Sequence, residues 1–126
     1  MGYYLNPIVV TATDDGLTTG LIPAEAGVPG AFVSVTSSSA AYIITLPSSD
    51  NISVGWRCEG YIGATGCEMR TDADSGETIN GVDADGTNEA ALPATTLFRV
   101  TKTAADTFIL EAVDEGGDDI AGITPD

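Results

Sequence analysis

This chain of 126 residues contains no histidine, one lysine and three arginines. Without histidine it cannot build a Ser-His-Asp or Cys-His nucleophilic arrangement. The single lysine, Lys102, lies in no Gly-rich phosphate loop. The two cysteines, Cys58 and Cys67, supply too few ligands for a zinc centre. Four basic residues against nineteen acids give a net charge of -15. Phosphate backbones repel such a chain, so nucleic acid is not an expected partner. Aromatic residues make up 6% of the chain, too sparse for a sugar cleft, and no pair of carboxylates stands out for glycoside chemistry. These absences predict a protein that is not an enzyme.

Long apolar runs are also missing. No segment approaches the ~18 consecutive apolar residues of a membrane helix, so no membrane partner is expected. No basic region precedes an apolar stretch at the N-terminus, which predicts synthesis in the cytoplasm without a secretory signal. In that compartment Cys58 and Cys67 are expected as free, packed thiols, with a disulfide formed after release as the alternative.

What the chain does contain is Gly, Thr, Ser, Ala and Val in short runs, with 43% hydrophobic residues. Amphipathic helices need long charged side chains on their wet face, and these are scarce. Short alternating runs bounded by polar turns point to strands. Ala31–Thr36 alternates, with Val33 and Val35 on one face and Phe32 and Ser34 on the other. Ala41–Leu46 follows, then Val54–Ile62, with Val54, Trp56, Cys58 and Ile62 on the inner side and Arg57, Glu59 and Tyr61 outside. A hairpin at Gly63–Gly66 is expected to return through Cys67–Thr71, with Glu68 and Arg70 outward. Leu97–Thr103 and Thr107–Val113 form a closing hairpin with its tip at Ala104–Asp106. A last strand, if present, falls at Ile120–Ile123. The expected fold is all-β, a small antiparallel β-sandwich or barrel with an extended N-terminal segment. Residues 1–16 are an N-terminal arm or first strand, and 17–126 a single β-domain.

Two segments carry the Asp-x-Asp start of calcium loops, at Asp72 and Asp74 and at Asp83 and Asp85. Hard cations need several oxygens converging on a turn. Neither segment completes an EF-hand pattern, so the first reading is two solvated acidic turns and no bound metal. Calcium at Asp72, Asp74, Asp83 or Asp85 is the alternative. Trp56, the sole tryptophan, is expected in the core.

From Tyr42 to Leu110 the order of motifs is a strand ending in Leu46-Pro47, a Gly-aromatic strand at Gly55-Trp56-Arg57, a Gly-rich turn at Tyr61–Gly66, Glu77-Thr78-Ile79-Asn80-Gly81, and a Phe- and Val-rich strand pair, Leu97–Leu110. This order resembles a β-module of tailed-phage virions, found in capsid decoration (cement) proteins and in head- or tail-fibre domains. The resemblance implies a β-sandwich or barrel that trimerises and attaches to the virion. The chain is short and lacks fibrous repeats, which favours decoration over a fibre. The expected function is therefore a decoration protein bound to the major capsid protein on the outer surface of a bacteriophage head, stabilising it as a homotrimer. The expected location is the virion surface after synthesis in the host cytoplasm. The alternatives are a receptor- or glycan-binding fibre domain and a calcium-stabilised β binding module. The aromatic and apolar N-terminal residues Tyr3, Tyr4, Leu5, Pro7 and Ile8 are the candidate capsid contacts.

Overall fold

The computed structural model describes residues 7–16, 19–72, 76–84 and 88–126. It is almost entirely β. Among the described residues ten strands run in chain order: β1 (Pro7–Thr11), β2 (Phe32–Thr36), β3 (Ile43–Thr45), β4 (Arg57–Ile62), β5 (Cys67–Arg70), β6 (Thr78–Ile79), β7 (Val82–Asp83), β8 (Ala90–Leu92), β9 (Thr96–Ala104) and β10 (Thr107–Val113). The helical content is two single 3-10 turns, Ala24–Gly27 and Ser49–Asn51.

The strands form a seven-stranded sheet, β1-β2-β4-β9-β10-β6-β7, and a three-stranded sheet, β3-β5-β8. From β2 to β5 the chain alternates between the two. β2 and β4 lie side by side and parallel in the large sheet, and β3 and β5 do the same in the small one. The loop after β1 already takes part, because Thr13 bridges Ile43 and Leu21 bridges Thr45 before the chain enters β2 beside β1. The first half is therefore wound as a short solenoid. The second half closes it with antiparallel ladders of β9 on β4, β10 on β9 and β8 on β5.

This winding corrects the expected antiparallel sandwich or barrel. Strand alternation fixes which side chains face inward, but it is silent on whether the chain turns back within a sheet or crosses to the other. The segment Gly63–Gly66 is such a crossing and not the expected hairpin. Gly63 donates to Val35 O and accepts from Thr95 N, which pins it to β2 and to the residue before β9 as the chain leaves for β5.

The core lies between the sheets. Val33, Val35, Cys58, Ile62, Phe98, Val100, Phe108 and Leu110 point in from the large sheet, and Ile44, Cys67, Met69, Ala90 and Leu92 from the small one. Cys58 and Cys67 are free and buried, on strands of different sheets. Burial, with a smaller contribution from Glu59 or Glu68 beside them, pushes each thiol up to about 12.

The expected closing hairpin holds. The β9–β10 hairpin spans its predicted residues, and its tip places Asp106 at φ 55°. Thr78–Ile79 pairs with Val82–Asp83 across an Asn80-Gly81 turn in which both residues have positive φ, the geometry that Asn-Gly favours. Trp56 precedes β4 half-buried and packs against the core as expected, donating from Nε1 to Ala24 O at 2.9 Å. Other expectations fail. Val54 is exposed. Arg70, expected outside, is buried at 4% exposure. Ile120–Ile123 forms no strand, since the last residues make only single bridges at Asp119 and Pro125.

Candidate interaction face

The outer face of the large sheet is built by the residues that alternate away from the core. Pro7 pairs with Phe32, Val9 with Ser34, Ser34 with Tyr61, and Tyr61 with Leu97. Pro7, Phe32, Ser34, Tyr61 and Leu97 line an open, shallow groove across β1, β2, β4 and β9. Leu97 is 47% exposed, and Val9, on the same face of β1, is 65% exposed. Large apolar side chains concentrated on one sheet face are the feature to explain, since single exposed ones are ordinary.

Charge sharpens the contrast. Residues 1–13 and 26–49 contain no acidic or basic residue. They supply all of β1 and β2, so this end of the sheet is uncharged in a chain of net charge -15. The next register row carries the charge: Glu59 pairs with Arg99, and Arg99 with Glu111. Arg99 Nη2 stands 3.0 Å from Glu111 Oε1, an exposed pair contributing about 0–1 kcal/mol.

The two edges of the large sheet differ in the same sense. β7 is two residues long and ends in Asp83, whereas β1 is five residues long and uncharged. Short, charged edges resist pairing with another chain, and long apolar ones invite it.

Of the residues singled out for capsid contact, Pro7 begins β1, is exposed and lines the groove. Ile8 turns the other way and packs against the core. Tyr3, Tyr4 and Leu5 lie outside the described residues. Phe32, Ser34, Tyr61 and Leu97 were not singled out. Alternation had put Phe32 and Ser34 on one face of their strand and Tyr61 on the outer face of its own, but the lateral pairing that joins them into one groove is tertiary.

The acidic turns are joined at their roots, where Thr71 N donates to Ala84 O and Ala84 N to Glu77 O, both at 3.1 Å. This sets Asp72 and Asp83 on adjoining segments, while Asp74 and Asp85 lie outside the described residues. Among the described residues no group of three or more His, Cys, Asp or Glu side chains is placed to hold a metal ion. Thr71, on the face shared by Met69 and Cys67, is buried with Oγ1 unpaired, directed away from Asp72.

A buried polar cluster lies at one end of the core. Lys102, 7% exposed, donates from Nζ to Ser49 O at 2.7 Å and Ile52 O at 2.8 Å. Ser49 N donates to Glu77 Oε1 at 3.1 Å, and Ser49 Oγ accepts from Asp106 N at 3.0 Å. These bonds hold the 3-10 turn Ser49–Asn51 against the β9–β10 tip and leave the lysine occupied with structure.

No protein-family model matches the chain, and no significant similarity to a curated protein or to a solved structure was found. No helix among the described residues is long and apolar enough to cross a membrane.

Proposed function

We propose that this protein is a binding module of the virion surface, a capsid decoration protein of a tailed phage, made in the host cytoplasm and seated on the major capsid protein as a symmetric oligomer, a trimer. The observation that supports this reading is the uncharged apolar face of β1, β2, β4 and β9 on a strongly acidic domain. Interface centres are depleted of charge and enriched in aromatic residues, with polar rims around them. The Pro7, Phe32, Tyr61 and Leu97 groove beside the Glu59, Arg99 and Glu111 row has that arrangement. The order of motifs from Tyr42 to Leu110 supplies the phage assignment, by resemblance alone.

On this reading attachment comes from burying the groove against the capsid, at roughly 25 cal/mol per Å² before the costs of association. The acidic remainder faces solvent and keeps decorated particles apart. The test is binding of the purified protein to phage heads assembled without it. Occupancy that saturates on bare heads and collapses for Leu97→Asp, with the variant still folded, supports the assignment. Failure to bind heads overturns decoration, and equal occupancy by Leu97→Asp overturns the face.

A further inference from the structure

The last residues close over the outer edge of the small sheet. Pro125 bridges Ala90 of β8 in antiparallel fashion. Asp126 N donates to Glu89 O at 3.3 Å, and Glu89 N to Asp126 Oδ1 at 3.3 Å. Two residues earlier the segment is held a second time, since Asn80 Nδ2 donates to Ile123 O at 2.7 Å. Residues 123–126 are thus held beside β8 by one bridge and against the Asn80 turn by one side-chain bond.

The register gathers acids at this junction. Met69 pairs with Ala90 and Glu68 with Ala91, so Glu89 falls opposite Arg70, with Asp126 on its other side. Glu68 shares that sheet face. Three carboxylates therefore gather at one junction, with Arg70 opposite Glu89. Arg70 is buried, directs Nε to Thr71 O at 3.1 Å, and leaves Nη2 without a partner. It offsets part of the negative charge and pairs with none of the carboxylates. β3, on the far side of β5, sets Ile43 and Thr45 opposite Glu68 and Arg70 and adds no charge.

We propose that residues 123–126 are an acid-tightened clasp on β8: neutralising Glu68 and Glu89 seats the segment, and their ionisation loosens it. Seating sets Asp126 beside Glu89 and brings its charge toward Glu68, so the closed state carries a repulsion that the open state lacks. Partial burial and then the neighbouring carboxylates raise Glu68 above an ordinary 4.5, with Glu89 and Asp126 as its neighbours. Glu89 is raised by burial and Asp126, and Arg70 pulls it partly back. A carboxyl whose affinity for a proton is higher in the closed state stabilises that state at low pH. The contribution disappears as pH climbs through the raised value. Asp126 keeps its role as acceptor for Glu89 N. The inference does not depend on the proposed function.

The test is NMR on the full chain at about pH 8 and about pH 4.5. Ala90 and Pro125 form a non-hydrogen-bonded antiparallel pair, so their Hα protons lie close only when the clasp is seated. In the wild type that cross-peak grows on acidification. In Glu68→Gln the growth is smaller than in the wild type, because only Glu89 still titrates beside Asp126, and Glu89→Gln serves the same purpose if that variant does not fold. Glu115→Gln, in the exposed turn after β10, keeps the wild-type response. A wild-type cross-peak that does not change with pH overturns the proposal. So does a glutamine variant with an undiminished response. Cross-strand peaks of β9 and β10 report that the fold persists throughout.

Discussion

The indole of Trp56 lies directly on Gly27, so closely that a Cβ at residue 27 has nowhere to go. The contact joins the entry to β4 to the 3-10 turn Ala24–Gly27, and Trp56 Nε1 locks it through Ala24 O. Two segments that are remote in sequence are thereby fixed at one end of the large sheet.

Gly27→Ala is expected to lower stability by about 1–3 kcal/mol, since the added methyl must displace the ring. Trp56→Phe loses the bond to Ala24 and costs about 0.5–1.5 kcal/mol. Urea unfolding followed by circular dichroism measures both. A Gly27→Ala midpoint equal to the wild type's is the result that counts against this packing.

Lys102→Met keeps the apolar stem but leaves two carbonyls, Ser49 and Ile52, without their charged donor. The expected loss is about 2–3 kcal/mol. Arg99→Ala, which removes the exposed pair with Glu111, costs about 0–1 kcal/mol. If the two variants unfold at the same denaturant concentration, the buried cluster is not the anchor described.

Asn80 substitutes for a missing stretch of ladder. Its side chain accepts from Leu110 N at 2.9 Å and donates to Leu110 O at 3.0 Å, while its backbone holds φ 52°. Asn80→Gly tolerates the turn and loses the side-chain bonds, for about 1–3 kcal/mol. Asn80→Ala adds roughly 1–2 kcal/mol of left-handed strain. Thermal unfolding should therefore rank wild type above glycine and glycine above alanine, and an alanine variant as stable as the glycine one contradicts the turn geometry.

The buried thiols make stability depend on alkaline pH. Cys58 and Cys67 ionise at about 12 when folded, against 9.0 for the ordinary group. Between these values the unfolded chain loses protons that the folded chain retains. Their contribution is intact below about 9 and drains away as pH rises toward about 12. Replacing both by alanine lowers stability through lost packing yet flattens the slope in that window. The same burial predicts slow reaction with a thiol reagent at about pH 8 until denaturant is added. Rapid labelling of the native protein would refute it.

Much of the strand pattern was legible in the sequence. Thr107–Val113 alternates cleanly, and Asn80-Gly81 is a turn whose backbone few other pairs adopt. Arg70 was misplaced for a physical reason. Alternation assigns a side chain to a face but does not say what covers that face. The register continues β8 so that Glu89 falls opposite Arg70, which is buried there. The groove was partly legible, because Phe32 and Ser34 were placed on one face and Tyr61 outward, while their adjacency was not.

The sequence by itself determined that this is an all-β protein, with acids crowded into its turns and an uncharged stretch through its first two strands. It does so because period-two alternation and turn chemistry act over a few residues. Only the tertiary structure decided that β2 lies parallel to β1 and β4, that Cys58 and Cys67 belong to different sheets, and that Pro7, Phe32, Tyr61 and Leu97 form one surface. Those facts depend on which strand meets which across tens of residues. That choice is made by the whole core closing at once, and no local pattern encodes it.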